Sequence, residues 1–141
     1  MMSSYNIVSG TWQDLKQHAE VIRRAVFIDE QNIAEADEWD DQDNISLHFI
    51  VFDANKAIAT ARLLQNDSVG RVAVLEEFRG LGIGKLLMLE IIAQAKQQQR
   101  KKLQLSAQQH AISFYENLGF KVEGDFYSDC GIPHINMTLK F

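Results

Sequence analysis

The chain has 141 residues, 46% apolar and 23% charged, with a formal net charge of −5. That length suits one domain, residues 1–141, able to bury a core without staples, while the acidic balance lacks the basic stripe that nucleic-acid binding requires. A single cysteine, Cys130, excludes internal disulfides and cysteine-rich metal sites, and no segment approaches the ~20 apolar residues of a membrane helix.

The opening MMSSYNIVSGTW has neither a basic region nor a long apolar run, so the expected location is cytoplasmic. Tyr5 to Ser9 reads as a short strand. Thr11 followed by Asp14 resembles an N-terminal helix cap, and the helix is expected from Trp12 to Phe27, burying Leu15, Ala19, Ile22 and Val26. From Asp29 to Asn44 the chain is acidic and is expected to be irregular, with Trp39 packing part of it down as a lid. Strands are expected at Leu47–Phe52, Ala57–Leu64 and Val69–Val74, the first two joined by the turn Asp53–Lys56. With Asn66 and Asp67 as a two-residue turn, Gln65 pairs with Ser68, and Arg62 falls opposite Arg71.

Gly82 to Arg100 reads as a helix with Ile83, Leu86, Leu87, Ile91 and Ala95 on its apolar stripe. Leu103–Ala107 alternates as a strand. Ile112–Leu118 is a short helix closed by Gly119, and Phe120–Val122 and Ile135–Leu139 complete the sheet. The element order predicts an α/β fold with a largely antiparallel first half.

The segment V-G-R-V-A-V-L-E-E-F-R-G-L-G-I-G-K-L-L-M carries the chemistry. A strand ends near Val74, and a glycine-rich loop feeds a helix at Arg79-Gly80-Leu81-Gly82-Ile83-Gly84-Lys85. Glycines admit a close ligand, and free N–H groups at a helix start attract anions. Arg79 and Lys85 add charge, so the loop suits a pyrophosphate. A Walker loop would need Ser or Thr after Gly84-Lys85, where Leu86 stands. A dinucleotide fingerprint would need G-x-G-x-x-G and an acid on the next strand; here the glycines run G-x-G-x-G and Leu103–Ala107 carries none.

The spacing of Arg79, Gly82 and Gly84 resembles the [QR]-x-x-G-x-[GA] loop of the GNAT superfamily of N-acetyltransferases. A-Q-Q-H-A-I-S-F-Y-E-N-L-G-F is similar to the late helix of that family. R-R-A-V-F-I-D-E-Q and G-I-P-H-I-N-M resemble a bacterial subgroup related to the ElaA and YjcF proteins. The resemblance implies the GNAT fold, a mixed and mostly antiparallel sheet of about six to seven strands with about four helices. It implies acetyl-CoA as co-substrate, no metal, and direct acetyl transfer to a small-molecule or peptide amine, in a monomer or homodimer.

It further implies that a backbone N–H at Val74, or a residue either side, polarises the thioester. Val72, Val74, the Arg79–Lys85 loop, Gln108 and Tyr115 would contact CoA, and Tyr115 would be the general acid for the departing thiolate. The other reading of Tyr115 is an aromatic packed beside Phe114 and Phe120. The strand before the loop has no carboxylate, so the base for the amine is open between Glu30, His134 and water.

Two arginines directly across a ladder repel, so an anion is expected over Arg62 and Arg71. It is either a carboxylate of the acidic segment or an acidic group on the acceptor. The run Glu35, Asp37, Glu38, Asp40, Asp41, Asp43 is either a solvated loop or a lure for a cationic amine. The competing functions are a catalytically silent acyl-CoA-binding module on the same fold and a nucleotide-binding domain, the latter disfavoured by the missing Ser/Thr and acid.

Overall fold

The computed structural model describes residues 4–141. β1 (Tyr5–Gly10) leads into α1 (Trp12–Arg23), where Thr11 Oγ1 accepts the Asp14 N–H at 3.2 Å. This is the expected cap, and Leu15, Ala19 and Ile22 face inward. The helix does not run on to Phe27 as an α-helix. Arg24–Glu30 widens into a π-helix, with the Gln31 N–H bonded to Val26 O five residues back. Val26 is buried in either coil, so apolar spacing could not separate them. The looser winding, frequent where chains build functional sites, delivers Glu30 and Gln31 to the cleft described below.

The acidic segment is more ordered than expected, forming a one-turn α2 (Glu35–Glu38) and a 3₁₀ turn (Asp43–Ile45). Then follow β2 (Leu47–Asp53), β3 (Lys56–Leu63), β4 (Ser68–Val74), a 3₁₀ turn (Glu76–Phe78) and α3 (Ile83–Gln97). β5 (Lys102–Gln108), α4 (Ile112–Asn117), β6 (Lys121–Asp129) and β7 (Ile132–Lys140) finish the chain. The last two strands are longer than the sequence indicated and are joined by Cys130-Gly131, both with positive φ, as a two-residue type I′ hairpin turn requires.

One seven-stranded sheet results, in the order β1-β2-β3-β4-β5-β7-β6, antiparallel except between β4 and β5. Alternation along β2 shows the two faces. Phe49 and Val51 pack with Leu87, Met88 and Ile91 of α3, while Ile50 and Phe52 pack with Leu15 and Ala19 of α1. On α3, Leu86 is exposed rather than buried as expected, and Met88 takes the core position.

The β3–β4 register corrects the expected pairing. The turn holds three residues, Gln65 to Asp67, with Asp67 at φ 72 and Leu64 N–H donating to Ser68 O. Arg62 is therefore paired with Gly70. Further along, Thr60 pairs with Ala73, so Arg71 and Val72 together oppose Ala61 in a bulge, with Arg71 at φ 52. The two arginines still converge on one network, because the anions come to them.

That network lies between α1, the acidic segment and β3–β4. Arg23 Nε meets Glu38 Oε2 at 2.8 Å and Nη1 meets Asp43 Oδ1 at 2.7 Å, while Trp12 and Trp39 flank the guanidinium with centroids 5.4 and 5.0 Å away. Arg62 Nη1 contacts Asp40 at 2.7 Å and Asp43 at 2.9 Å, and Arg71 Nε contacts Glu38 at 3.1 Å. Three guanidiniums thus face three carboxylates. His48 beside them is held neutral by burial, which lowers its pKa, with Nε2 2.9 Å from Asp43 O.

The Arg62 hydrogen bonds draw the Asp40 pKa from the ordinary 3.8 down to about 2. A depressed folded-state value means that the stability from this pair is present above the unfolded value and is lost as pH falls through the folded one. Asp40→Asn should therefore melt below the wild type at pH 6, and the difference should shrink between about pH 4 and pH 2. Melting curves across that range check this; a gap that does not narrow would exclude the ion pair as its source.

Candidate active site

β4 and β5 pair only at Ser68–Gln104 and Val69–Leu105. Beyond Val69 they part, and the gap between them opens two adjoining cavities. The larger, about 930 Å³, runs along Val72–Val74 to the glycine loop and the start of α3. The smaller, about 310 Å³, lies toward α2, Arg71 and the β6–β7 turn. Gln31, Val72, Gln108, His110, Ala111 and Tyr115 border both.

The larger cavity is rich in free backbone donors. The Leu75 N–H donates to Ile58 O of β3. Strand amides alternate in direction, so the Val74 N–H points the other way, into the gap. At α3 the N-cap is Gly82, at φ 82 and without a side-chain cap. The first intrahelical bond runs from Leu86 N–H to Gly82 O at 3.0 Å. The Ile83, Gly84 and Lys85 amides therefore have no intrahelical acceptor, and all three residues border the cavity. Positive helix-end potential and the exposed Lys85 make this an anion site. Gly80 borders it too, while Leu81 is exposed outside it.

Arg79, expected to add charge there, is engaged. Its Nη1 and Nη2 meet Glu30 at 2.6 and 2.8 Å, and its Nε donates to Val74 O at 3.0 Å. The Arg79 hydrogen bonds hold the Glu30 carboxyl below its ordinary pKa. Glu30 borders the larger cavity, not the smaller one, which separates it from Arg71 and His134. A carboxylate so paired is a poor proton acceptor.

Tyr115 stands where the cavities meet. It projects from α4, whose end is fixed by Gly119 at φ 100, with Phe120 N–H on Tyr115 O and Gly119 N–H on Glu116 O. Phe114 and Phe120 hold its ring edge-on, at centroid distances of 5.0 and 5.8 Å. It is thus both a packed aromatic and a cavity residue. Burial pushes its phenol up to about 12, so it keeps its proton at neutral pH. Gln108 Nε2 donates to Gln31 Oε1 at 3.0 Å, tying β5 to the π-helical segment across the gap.

Arg71 borders the smaller cavity, whereas Arg62 is buried behind it and borders neither. That placement corrects the expectation of Arg62 as an acceptor contact. His134 borders the smaller cavity. Sequence reasoning missed Arg23 and His48. The available signal for Arg23 was its place four residues after Ala19, on the buried stripe of α1.

The sequence pattern of the acetyltransferase (GNAT) domain matches residues 13–141. YjcF of Bacillus subtilis, an uncharacterized N-acetyltransferase, is 34% identical over 82% of this chain and 86% of its own length. ElaA of Escherichia coli is 33% identical, covering 92% of this chain and 95% of its own. The ElaA crystal structure superposes with a TM-score of 0.87 over 96% of this chain and 99% of that one, at 28% identity. An acyl-CoA N-acyltransferase from Pseudomonas aeruginosa superposes at 0.86, with 27% identity, over 96% and 99% of the two chains.

Proposed function

The chain belongs to the GNAT acetyltransferase family, and from that premise we propose that it transfers an acetyl group from acetyl-CoA directly to the amine of a small molecule or peptide. The observation that carries this is Tyr115, a protonated phenol on the boundary between a large cavity with free amides and a small cavity with acidic walls. The larger cavity takes acetyl-CoA, its pyrophosphate against Ile83, Gly84 and Lys85 and its thioester oxygen toward the Val74 N–H. The amine attacks from the smaller cavity. As the C–S bond breaks, Tyr115 gives its proton to the CoA sulfur and regains one from the nitrogen of the new amide.

The acceptor is an amine that arrives as a cation. Arg71 is neutralised by Glu38 and Asp40 and reaches only the backbone oxygen of Asp37, while the Asp37 and Asp129 carboxylates at the wall have no guanidinium partner among the described residues. An acidic acceptor, expected if Arg62 and Arg71 were free, is not favoured.

The test is CoA release from acetyl-CoA with a set of mono- and diamines. Tyr115→Phe should lower turnover on the order of 10²-fold and leave CoA affinity unchanged. An unaltered rate would leave Tyr115 as a packing residue. CoA binding with no transfer to any amine would instead favour the acyl-CoA-binding module.

A further inference from the structure

His134 is a buried polar side chain whose free nitrogen the steps above do not use. It lies on β7 opposite Gln108 of β5 and is 9% exposed. Its Nδ1 is 2.8 Å from Ile132 O. A carbonyl only accepts, so Nδ1 carries the hydrogen and the neutral ring keeps its lone pair on Nε2. Nε2 has no hydrogen-bond partner among the described residues. Arg62 Nε is the one side-chain nitrogen or oxygen there that is fully enclosed and unpartnered. Nε2 therefore meets open space, and the space His134 borders is the smaller cavity, with Tyr115 on the same wall. The ring is held in place by Tyr127, stacked at 6.2 Å and 29°, whose hydroxyl is bonded in turn to Ser106 and to Asn136 at 2.9 Å.

We propose that His134 Nε2 takes the proton from the acceptor's ammonium before acetyl transfer, an inference that rests on the acetyl-CoA reading above. The ammonium N–H bond breaks, its electron pair stays on nitrogen, and the proton binds Nε2 to give an imidazolium that keeps its Nδ1–H bond to Ile132 O. The freed nitrogen forms the C–N bond as the C–S bond breaks. The imidazolium later returns its proton to water, so the turnover releases one proton. Around this cation Asp37 of α2 and Asp129 of β6 are favourable, while Glu38 and Arg71 largely cancel each other at 3.1 Å. The rival imidazole, His110, borders both cavities, but it is exposed and no hydrogen bond fixes its ring.

The experiment compares two nucleophiles with acetyl-CoA at pH 7. 1,4-Diaminobutane is protonated at that pH and needs a base; hydroxylamine is largely unprotonated and does not. His134→Gln should cut kcat for the diamine on the order of 10²-fold and for hydroxylamine less than about threefold, because the loss is confined to proton removal. CoA binding by His134→Gln, measured by calorimetry, should be unchanged. Equal losses on both nucleophiles, or a diamine rate that survives His134→Gln, would overturn the assignment. Should His134→Gln not fold, the wild-type His134 ring nitrogens are followed by NMR as diaminobutane is added to the CoA-bound protein; an unshifted Nε2 resonance overturns it equally. Wild-type protein that acetylates neither nucleophile would count against the acetyl-transfer reading itself, and the proposal would fall with it.

Discussion

Replacing Gly82 by aspartate should weaken CoA binding by about 10³-fold, roughly 4 kcal/mol, and leave the fold in place. Gly82 is the N-cap of α3 at φ 82, and a Cβ built on it meets nothing within 4 Å. Aspartate tolerates that left-handed conformation and is a favoured N-cap, so the helix loses little. Its carboxylate would occupy the ring of free amides and face the incoming pyrophosphate. Like charges forced together in an interface cost several kcal/mol, which sets the size of the effect. Gly82→Ala is the control: it pays roughly 1–2 kcal/mol of backbone strain but adds no charge, so affinity should fall far less. Calorimetry with CoA, alongside melting curves, separates the two. An unchanged affinity in Gly82→Asp would reduce the loop to a packing device.

Arg23→Ala should destabilise the protein by about 3–5 kcal/mol, the usual result of stripping one partner from a buried ion network. Glu38 and Asp43 would each lose a charge-assisted bond while remaining almost wholly enclosed, and Trp12 and Trp39 would lose the cation between them. For a chain of this length that is a fall in Tm of roughly 10–15 °C. Lys16→Ala provides the comparison, because the Lys16–Glu20 pair is solvent-exposed and worth less than about 1 kcal/mol. Similar small shifts in both variants would mean that the network contributes nothing beyond the surface pair. Since Glu38 also borders the smaller cavity, Arg23→Ala should disturb acceptor kinetics before it affects CoA affinity.

Most of the sheet was legible because its strands alternate or run apolar between turn residues, and the helix ends because Thr11 and Gly119 are chemical punctuation. What escaped was whatever depended on one residue more or less. The β3–β4 turn takes three residues rather than two because Asp67 accepts φ 72, and that slip moves Arg62 from Arg71 to Gly70. The bulge at Arg71 then restores the register; nothing local in R-V-A-V announces a positive φ at an arginine. The π-helix was hidden because one apolar spacing serves two windings. At the site, the glycine-rich start of α3 could be read from its spacing, and Tyr115 entered through the family resemblance. The division into two cavities did not, since it arises from where two distant strands stop pairing.

That parting of β4 from β5 leaves the β5-facing edge of β4 beyond Val69 without a strand partner, in the middle of the sheet. At the outside of a sheet such an edge is a template on which another chain can add a strand and begin to aggregate. Here the edge is walled in by the π-helical segment on one side and by α4 on the other, as Glu30, Phe114 and Tyr115 along the gap attest. A neighbouring strand needs to approach within about 4.7–4.9 Å in the plane of the sheet, and those walls stand in its way. The protein thus keeps a row of open backbone donors for a slender ligand while denying the same row to copies of itself.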